Sequence, residues 1–260
     1  MITSRTLGSN ARARTWLKAL CLLLGNATIA TLFACGASYR TPGGPAAIGA
    51  MTTASVADQL KTVPEAQLPA IIAFTRVQDS GYRSRYDGGV NRGSVALVGP
   101  RELERDDDAK TMAAWSEVRE VVRITPILVA ATGDPLMALR EGAAALHADV
   151  LALYTVDTTF RVDDSDFGPL GLISLGMAPT RSAQVHSSVS MAFFDVRTGF
   201  CYGTAEGSAN DDQLANAWTS DNAVDQCRLR VERKAFEAML LEAGKTWAAA
   251  AASRKAALGG

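Results

Sequence analysis

The 260-residue chain predicts a mixed α/β (α+β) fold: a mainly four- to five-stranded sheet packed by helices, with a long C-terminal helix. Three observations carry that prediction. Apolar runs rich in β-branched residues recur at Leu68 to Val77, Val95 to Val98, Val118 to Val129 and Asp149 to Arg161. A capped helical pattern of about 14 residues sits between the last two runs, and strand, helix, strand in that order is a crossover that makes neighbouring strands parallel. From about Asn222 onward, apolar side chains repeat at helical spacing.

Taken in order, the chain opens with the cations Arg5, Arg12, Arg14 and Lys18, then an apolar run from about Ala19 to Phe33 that Gly25 and Asn26 interrupt. The run is too short and broken to span a bilayer, and its layout is that of an export signal. It ends at Leu32-Phe33-Ala34-Cys35, where a small residue before a cysteine, with Leu three residues before it, resembles the bacterial lipobox. That resemblance implies a signal peptide over residues 1–34 and a lipid on Cys35. A plain secretory signal cut nearby and an uncleaved anchor are the alternatives. Gly36 follows, where an Asp would resemble the inner-membrane retention signal, so the expected location is the outer membrane, facing the periplasm.

Cleavage before Cys35 leaves 226 residues and lowers the formal charge from −1 to −5. An acidic surface of that kind argues against nucleic acid and against polybasic attraction to anionic lipid, so membrane contact falls to the acyl chains. Cys21 leaves with the signal, and Cys201 and Cys227, 26 residues apart, remain in the folded part. In an oxidising compartment the pair predicts a disulfide worth roughly 3 kcal/mol by loop entropy, with two buried thiols as the alternative.

Residues 35–67, rich in Ala, Gly, Thr and Pro, read as a flexible tether with a weak helical hint at Val56, Leu60 and Val63. A single domain is expected over residues 68–250. Its first strand, Leu68 to Val77, is nearly continuous in apolar residues, as a strand buried on both faces would be. A turn-rich loop from Asp79 to about Ser94 interleaves Arg83 and Arg85 with Tyr82 and Tyr86, and reads as solvated decoration. A charged helix follows over Arg101 to Glu117. Its Asp106-Asp107-Asp108 run lacks the Gly and distal Glu of a calcium loop, so no metal is expected there.

Gly133-Asp134-Pro135 is a helix start, with Asp134 able to cap and Pro135 suited to the first helical position. Leu136, Leu139, Ala143 and Leu146 give that helix one apolar face, and it ends near His147. The strand Asp149 to Arg161 leads into an insert over 163–181. Its apolar residues Phe167, Leu170, Leu172, Ile173, Leu175 and Met177 are punctuated by Gly and Pro. Three placements stay open for it: over the domain's own core, against a partner or second copy, or against a membrane.

Gln184 to Val196 and Phe200 to Ser208 form a hairpin with Val185, Ser187, Val189, Met191 and Phe193 on one parity. The C-terminal helix carries a stripe of Val224, Cys227, Val231, Ala235, Ala238 and Leu241. Glu232, Arg233, Lys234 and Glu237 form its wet face, and residues 251–260 a frayed tail.

Two stretches carry a further resemblance. Ala143 to Tyr154 is similar to the small-helix, Ala-Asp, apolar-strand signature of the curli-secretion lipoprotein superfamily, and Val189 to Gly199 to its apolar-strand, Asp-x-x-Thr-Gly hairpin. That superfamily includes the N-terminal domain of the Tol propeller protein and the lipoprotein activators of peptidoglycan synthases. The resemblance implies a periplasmic α/β domain over roughly Leu68 to Trp247. The broken insert departs from the long amphipathic hairpins of the curli pore. Asp195 and Thr198 also have a local reason to exist, since both can hydrogen-bond the turn backbone.

No catalytic set stands out. His147 and His186 are the two histidines, and HExxH, CxxC, GxxxxGK[ST] and GxSxG are absent. His186 and Ser187, adjacent on a strand, point to opposite faces and cannot pair as base and nucleophile. Asp157, in an apolar strand, would need a partner if buried, with Arg123 or Arg161 as candidates. The expectation is a non-enzymatic, cofactor-free domain that binds an envelope protein through the 163–181 insert with the neighbouring Arg/Tyr loop. A self-assembling subunit of a secretion or envelope complex is the alternative, and a hydrolase or ligand-binding protein using Asp157, Asp163 and Asp164 the remote one.

Overall fold

A computed structural model describes residues 39–40, 44–52, 54–83, 89–100, 103–164, 181–215 and 221–259. The fold is mixed α/β, with one mixed sheet and a C-terminal helix. At the sheet's centre lies β2 (Ala70–Asp79), buried on both faces from Ala70 through Gln78. Along one edge it pairs in parallel with β6 (Val150–Asp164), from Ile72↔Val150 to Thr75↔Leu153. Along the other, its first half pairs in parallel with β5 (Val118–Arg123) and its second half antiparallel with β4 (Val95–Val98). β3 (Val90–Arg92) pairs with β4, and the short β1 (Tyr39–Arg40) with β6. β6, β7 (Arg181–Asp195) and β8 (Cys201–Ala215) then form an antiparallel meander of three 15-residue strands.

The sheet has eight strands, more than the four to five expected. The apolar runs and the hairpin account for six of them; the other two, β1 and β3, of two and three residues, are too short for any period to show in the sequence.

Two layers cover the sheet. On one face lie α2 (Asp106–Ala113) and the 39-residue α4 (Asp221–Gly259), over a core that includes Phe74, Tyr154, Met191, Phe193, Phe236 and Trp247. The other face carries α3 (Pro135–Ala145), the 3-10 turn Pro126–Leu128 and the segment from residue 44 to 52, over Leu97, Leu139, Leu151, Leu153 and Phe194. α3 begins as expected, with Asp134 accepting from the Met137 amide at 2.9 Å and Pro135 at its first turn. It ends at His147, which takes the left-handed conformation at φ 56° and lets the Ala148 amide reach the Ala143 carbonyl.

The stripe on β7 is as expected: Val185, Ser187, Val189, Met191 and Phe193 are all buried. On α4 the early stripe holds at Cys227, Val231 and Ala235, then continues through Met239, Leu240, Ala243, Trp247 and Ala251 rather than through Leu241, which is 68% exposed. Glu232, expected on the wet face, is fully buried. The reason is close approach: a Cβ on Gly207 of β8 would lie 2.1 Å from the Met239 amide nitrogen, so the helix backbone rests on the strand and both flanks of the stripe are drawn in.

Two segments expected to be loose are docked. In the 35–67 region, Ala46, Met51 and Ala66 are buried, and the Ala46 amide donates to Thr155 Oγ1 at 2.8 Å. Pro45 bridges to Gln78, and α1 (Val56–Gln59) is capped by Ser55. At the other end, the 251–260 tail is helical to Gly259, Ala251 is buried, and Lys255 Nζ reaches Glu117 at 2.8 Å.

Candidate functional site

Three features compete for the functional site, and the meander connects them. Its far end is where β6 stops at Asp164 and β7 starts at Arg181, paired to each other in register. The expected contact residues Phe167, Leu170, Leu172, Ile173, Leu175 and Met177 lie between these strand ends and, like Cys35, outside the described residues. β6 and β7 thus stay paired as antiparallel neighbours up to the last described residue on each side.

At the near end, Asp195 is the hub of a knot. Its carboxylate accepts the amides of Glu65 (2.6 Å), Ala66 (2.7 Å), Arg197 (2.9 Å) and Thr198 (3.1 Å) and the Tyr202 hydroxyl (2.7 Å). Burial works against ionisation, but the Tyr202 bond and the amides of Glu65, Thr198 and Ala66 outweigh it and hold the carboxyl below its usual range. The same burial and the Asp195 charge push the Tyr202 phenol up. Thr198 Oγ1 donates to the Val63 carbonyl at 2.8 Å and accepts the Phe200 amide. Asp195 and Thr198 thus hold the turn backbone, as their spacing led one to expect, and also pin the incoming chain at residues 63–66. Asp149 accepts the Ile71 amide at 3.0 Å in the same region. These five donors leave Asp195 a strut, with no free lone pair for a substrate proton.

The third feature was not legible as a site. Glu104 has a side chain 2% exposed; it accepts the Tyr154 hydroxyl at 2.5 Å and pairs with Arg123, whose guanidinium lies 4.9 Å from the Phe74 ring centroid. Burial raises the Glu104 carboxyl, outweighing the Tyr154 bond and the charges of Arg123 and Arg76. Burial and the Glu104 charge also push Tyr154 well above its ordinary range. Arg76, 1% exposed, lies over the Tyr82 ring, which is itself fully buried rather than solvated as expected for the Arg/Tyr loop. Residues 84–88 of that loop lie outside the described residues.

Beside this cluster, Arg233 of α4 forks onto Asp108 at 2.6 and 2.7 Å and reaches Glu237 at 2.8 Å. A cavity of about 500 Å³ opens here, lined by Leu103, Glu104, Arg105, Arg233, Lys234 and Glu237. Glu104 and Asp108 have committed their charge to Arg123 and Arg233, so the arrangement clamps α2 between sheet and helix. An arginine inside the otherwise apolar Phe74 to Val77 run was the sequence signal for this buried charge.

The remaining candidates fall apart in space. Arg123 serves Glu104 rather than Asp157, and Arg161 stands on β6 at the register of Gln184. Asp157 is half-buried on the sheet face away from α4. Ser187 bonds Thr158 at 3.0 Å, and Thr158 donates to the buried Glu232 at 2.8 Å, which Arg228 neutralises; His186 is exposed and pairs with Asn210. The disulfide expectation is corrected: Cys201 and Cys227 are free thiols, one exposed and one buried. Cys201 pairs with Phe194, whereas Cys227 packs on Val185 and Phe160, roughly 30 Å away along the strands and beyond any disulfide's reach. Burial raises both thiols, Asp211 adding to the effect on Cys227, so neither has the character of a reactive thiolate.

No protein-family model matches this chain, and no curated protein matches it in sequence. Among the described residues no cluster of His, Cys, Asp and Glu could hold a metal ion, and no helix is long and apolar enough to cross a membrane.

Proposed function

We propose that the protein is a lipid-anchored envelope domain, held through Cys35 to the periplasmic face of the outer membrane, that works by contact rather than by catalysis. The insert carrying Phe167, Leu170, Leu172, Ile173, Leu175 and Met177 is its contact surface toward an envelope component. One observation supports this reading above the others: β6 and β7 remain paired out to Asp164↔Arg181, so the chain enters and leaves the insert from two adjacent strand ends. The buried carboxylates, each tied to amides, hydroxyls or guanidinium groups, favour binding over chemistry.

Deleting residues 167–179 from the acylated protein tests the reading. Capture of envelope material should be lost while circular dichroism and thermal unfolding stay unchanged. Undiminished capture by the deletion variant would remove the insert from the function.

A further inference from the structure

We propose that the cavity beneath the strap from residue 44 to 52 binds one neutral, largely apolar molecule with a single hydroxyl or carbonyl group, a long-chain alcohol or ester by class. The site uses neither Cys35 nor the insert and stands apart from the envelope-contact reading.

The cavity, of about 450 Å³, lies on the sheet face opposite α4. Alternate residues of β7 and their strand partners form its floor, with Thr155 across from Ser190 and Thr204 across from Ala192. Ser190, Ala192 and Thr204 are small, whereas Phe194, next along the same face, is large. The sheet therefore carries a hollow with an aromatic end. Its roof is the strap, pinned beside the hollow where Pro45 bridges to Gln78 and the Ala46 amide donates to Thr155 Oγ1 at 2.8 Å. Thr155 in turn donates to Gln78 Oε1 at 2.9 Å, so β2 braces the pin. Ile48 and, from α1, Gln59 line the roof, and Leu136 of α3 closes one side.

The lining selects the guest. Among the described residues no charged side chain faces the cavity, and an ion brought there would lose its hydration without gaining a partner. The cavity beside Arg233 is the opposite case, lined by six charged side chains. A volume of about 450 Å³ is that of a small-molecule site. At roughly 30 Å³ per non-hydrogen atom, the share of a liquid water, it holds about fifteen such atoms. The hydroxyls of Ser190 and Thr204 are spent on no other described residue, so they are available to the guest's one polar group.

The roof has a way to admit the guest. From Ala54 to Thr62 the hydrogen bonds of the described residues stay within the segment itself. The chain is held to the sheet on either side, at Ala46 by Thr155 and at Glu65 and Ala66 by Asp195. The span between can lift without breaking a bond to the sheet. Val56 and Leu60 on it are 73% and 82% exposed, apolar surface that gains by closing on an apolar molecule.

Cys201 supplies the readout, because it lines the cavity and is exposed, whereas Cys227 is buried. The soluble chain from Gly36 to Gly260 holds every residue of the described fold, and its cooperative thermal unfolding is checked first. Its labelling by a nitrophenyl disulfide reagent is then timed with decanol, with decanoate or with neither. The expected result is saturable, several-fold slowing by decanol and no change with decanoate at the same concentration. Thr204→Trp, filling the hollow from an exposed position, should abolish the protection, and Ser190→Phe should do so from β7 if the first variant does not fold. Ser208→Trp, on the same face of β8 but outside the lining, should keep it. Labelling that decanol does not slow overturns the site. Equal slowing by decanoate overturns the selection for a neutral guest, and protection that survives the filling variants or is lost equally in Ser208→Trp places the binding elsewhere.

Discussion

The two halves of the meander share strands but not surroundings. In the near half, residues 150–156 of β6 and 191–196 of β7 are buried on both faces, α4 on one side and α3 with the 44–52 strap on the other. In the far half, burial alternates: Val185, Ser187 and Val189 are buried under α4, while His186 is exposed and Ser188 and Ser190 half-exposed on the open face. The near half is a core. The far half is a one-sided arm, polar enough on its bare face to stand in water.

That contrast can be broken, most severely at Gly207. A Val there drives its side chain into the backbone of α4 at Ala235 and Met239, and should cost about 3 kcal/mol or more in urea unfolding. Asn210→Val, on the exposed face of the same strand, should stay within about 0.5 kcal/mol.

Asp195→Ala comes next. It strips the partner from four amides and a phenol and should cost about 3 kcal/mol at neutral pH. The pH dependence has a definite sign. Because the folded carboxyl is held below its usual value of about 4, its stabilisation is complete above that value and is lost as pH falls through the folded one. Removing the carboxylate should flatten the acid limb of the stability profile; an unaltered acid limb would mean that Asp195 is not the group responsible.

Smaller effects sharpen the picture. Tyr154→Phe removes the hydroxyl bond to Glu104 and should cost roughly 1 to 2 kcal/mol, with the Glu104 carboxyl rising further, readable as a shifted carboxyl resonance. Leu241→Ala should change stability by less than about 0.5 kcal/mol, whereas the neighbouring buried Leu240→Ala should cost about 3 kcal/mol.

These pairs also show what was readable in advance. The mixed sheet, the α3 cap at Asp134, the β7 parity and the turn role of Asp195 and Thr198 all follow from local pattern, and local pattern is what a sequence displays. Leu241 and Glu232 were misplaced because helical spacing fixes a stripe's period but not its phase. The phase here is set by Gly207, more than twenty residues upstream on another element. The 44–67 strap lacks a period of its own and is held by remote partners, Thr155, Gln78 and Asp195, so composition alone suggested looseness. The Glu104 cluster gathers residues from β2, β5, β6 and the approach to α2, and no spacing in the chain announces it. The disulfide failed for a similar reason, since strand β8 separates two cysteines that are near in sequence.

The central claim, a near half buried on both faces and a far half covered on one face only, is tested most directly by hydrogen–deuterium exchange along β6 and β7. The account predicts slower exchange in peptides covering residues 150–156 and 191–196 than in those covering 157–162 and 184–190. Equal protection in the two halves, or faster exchange in the near half, would contradict it.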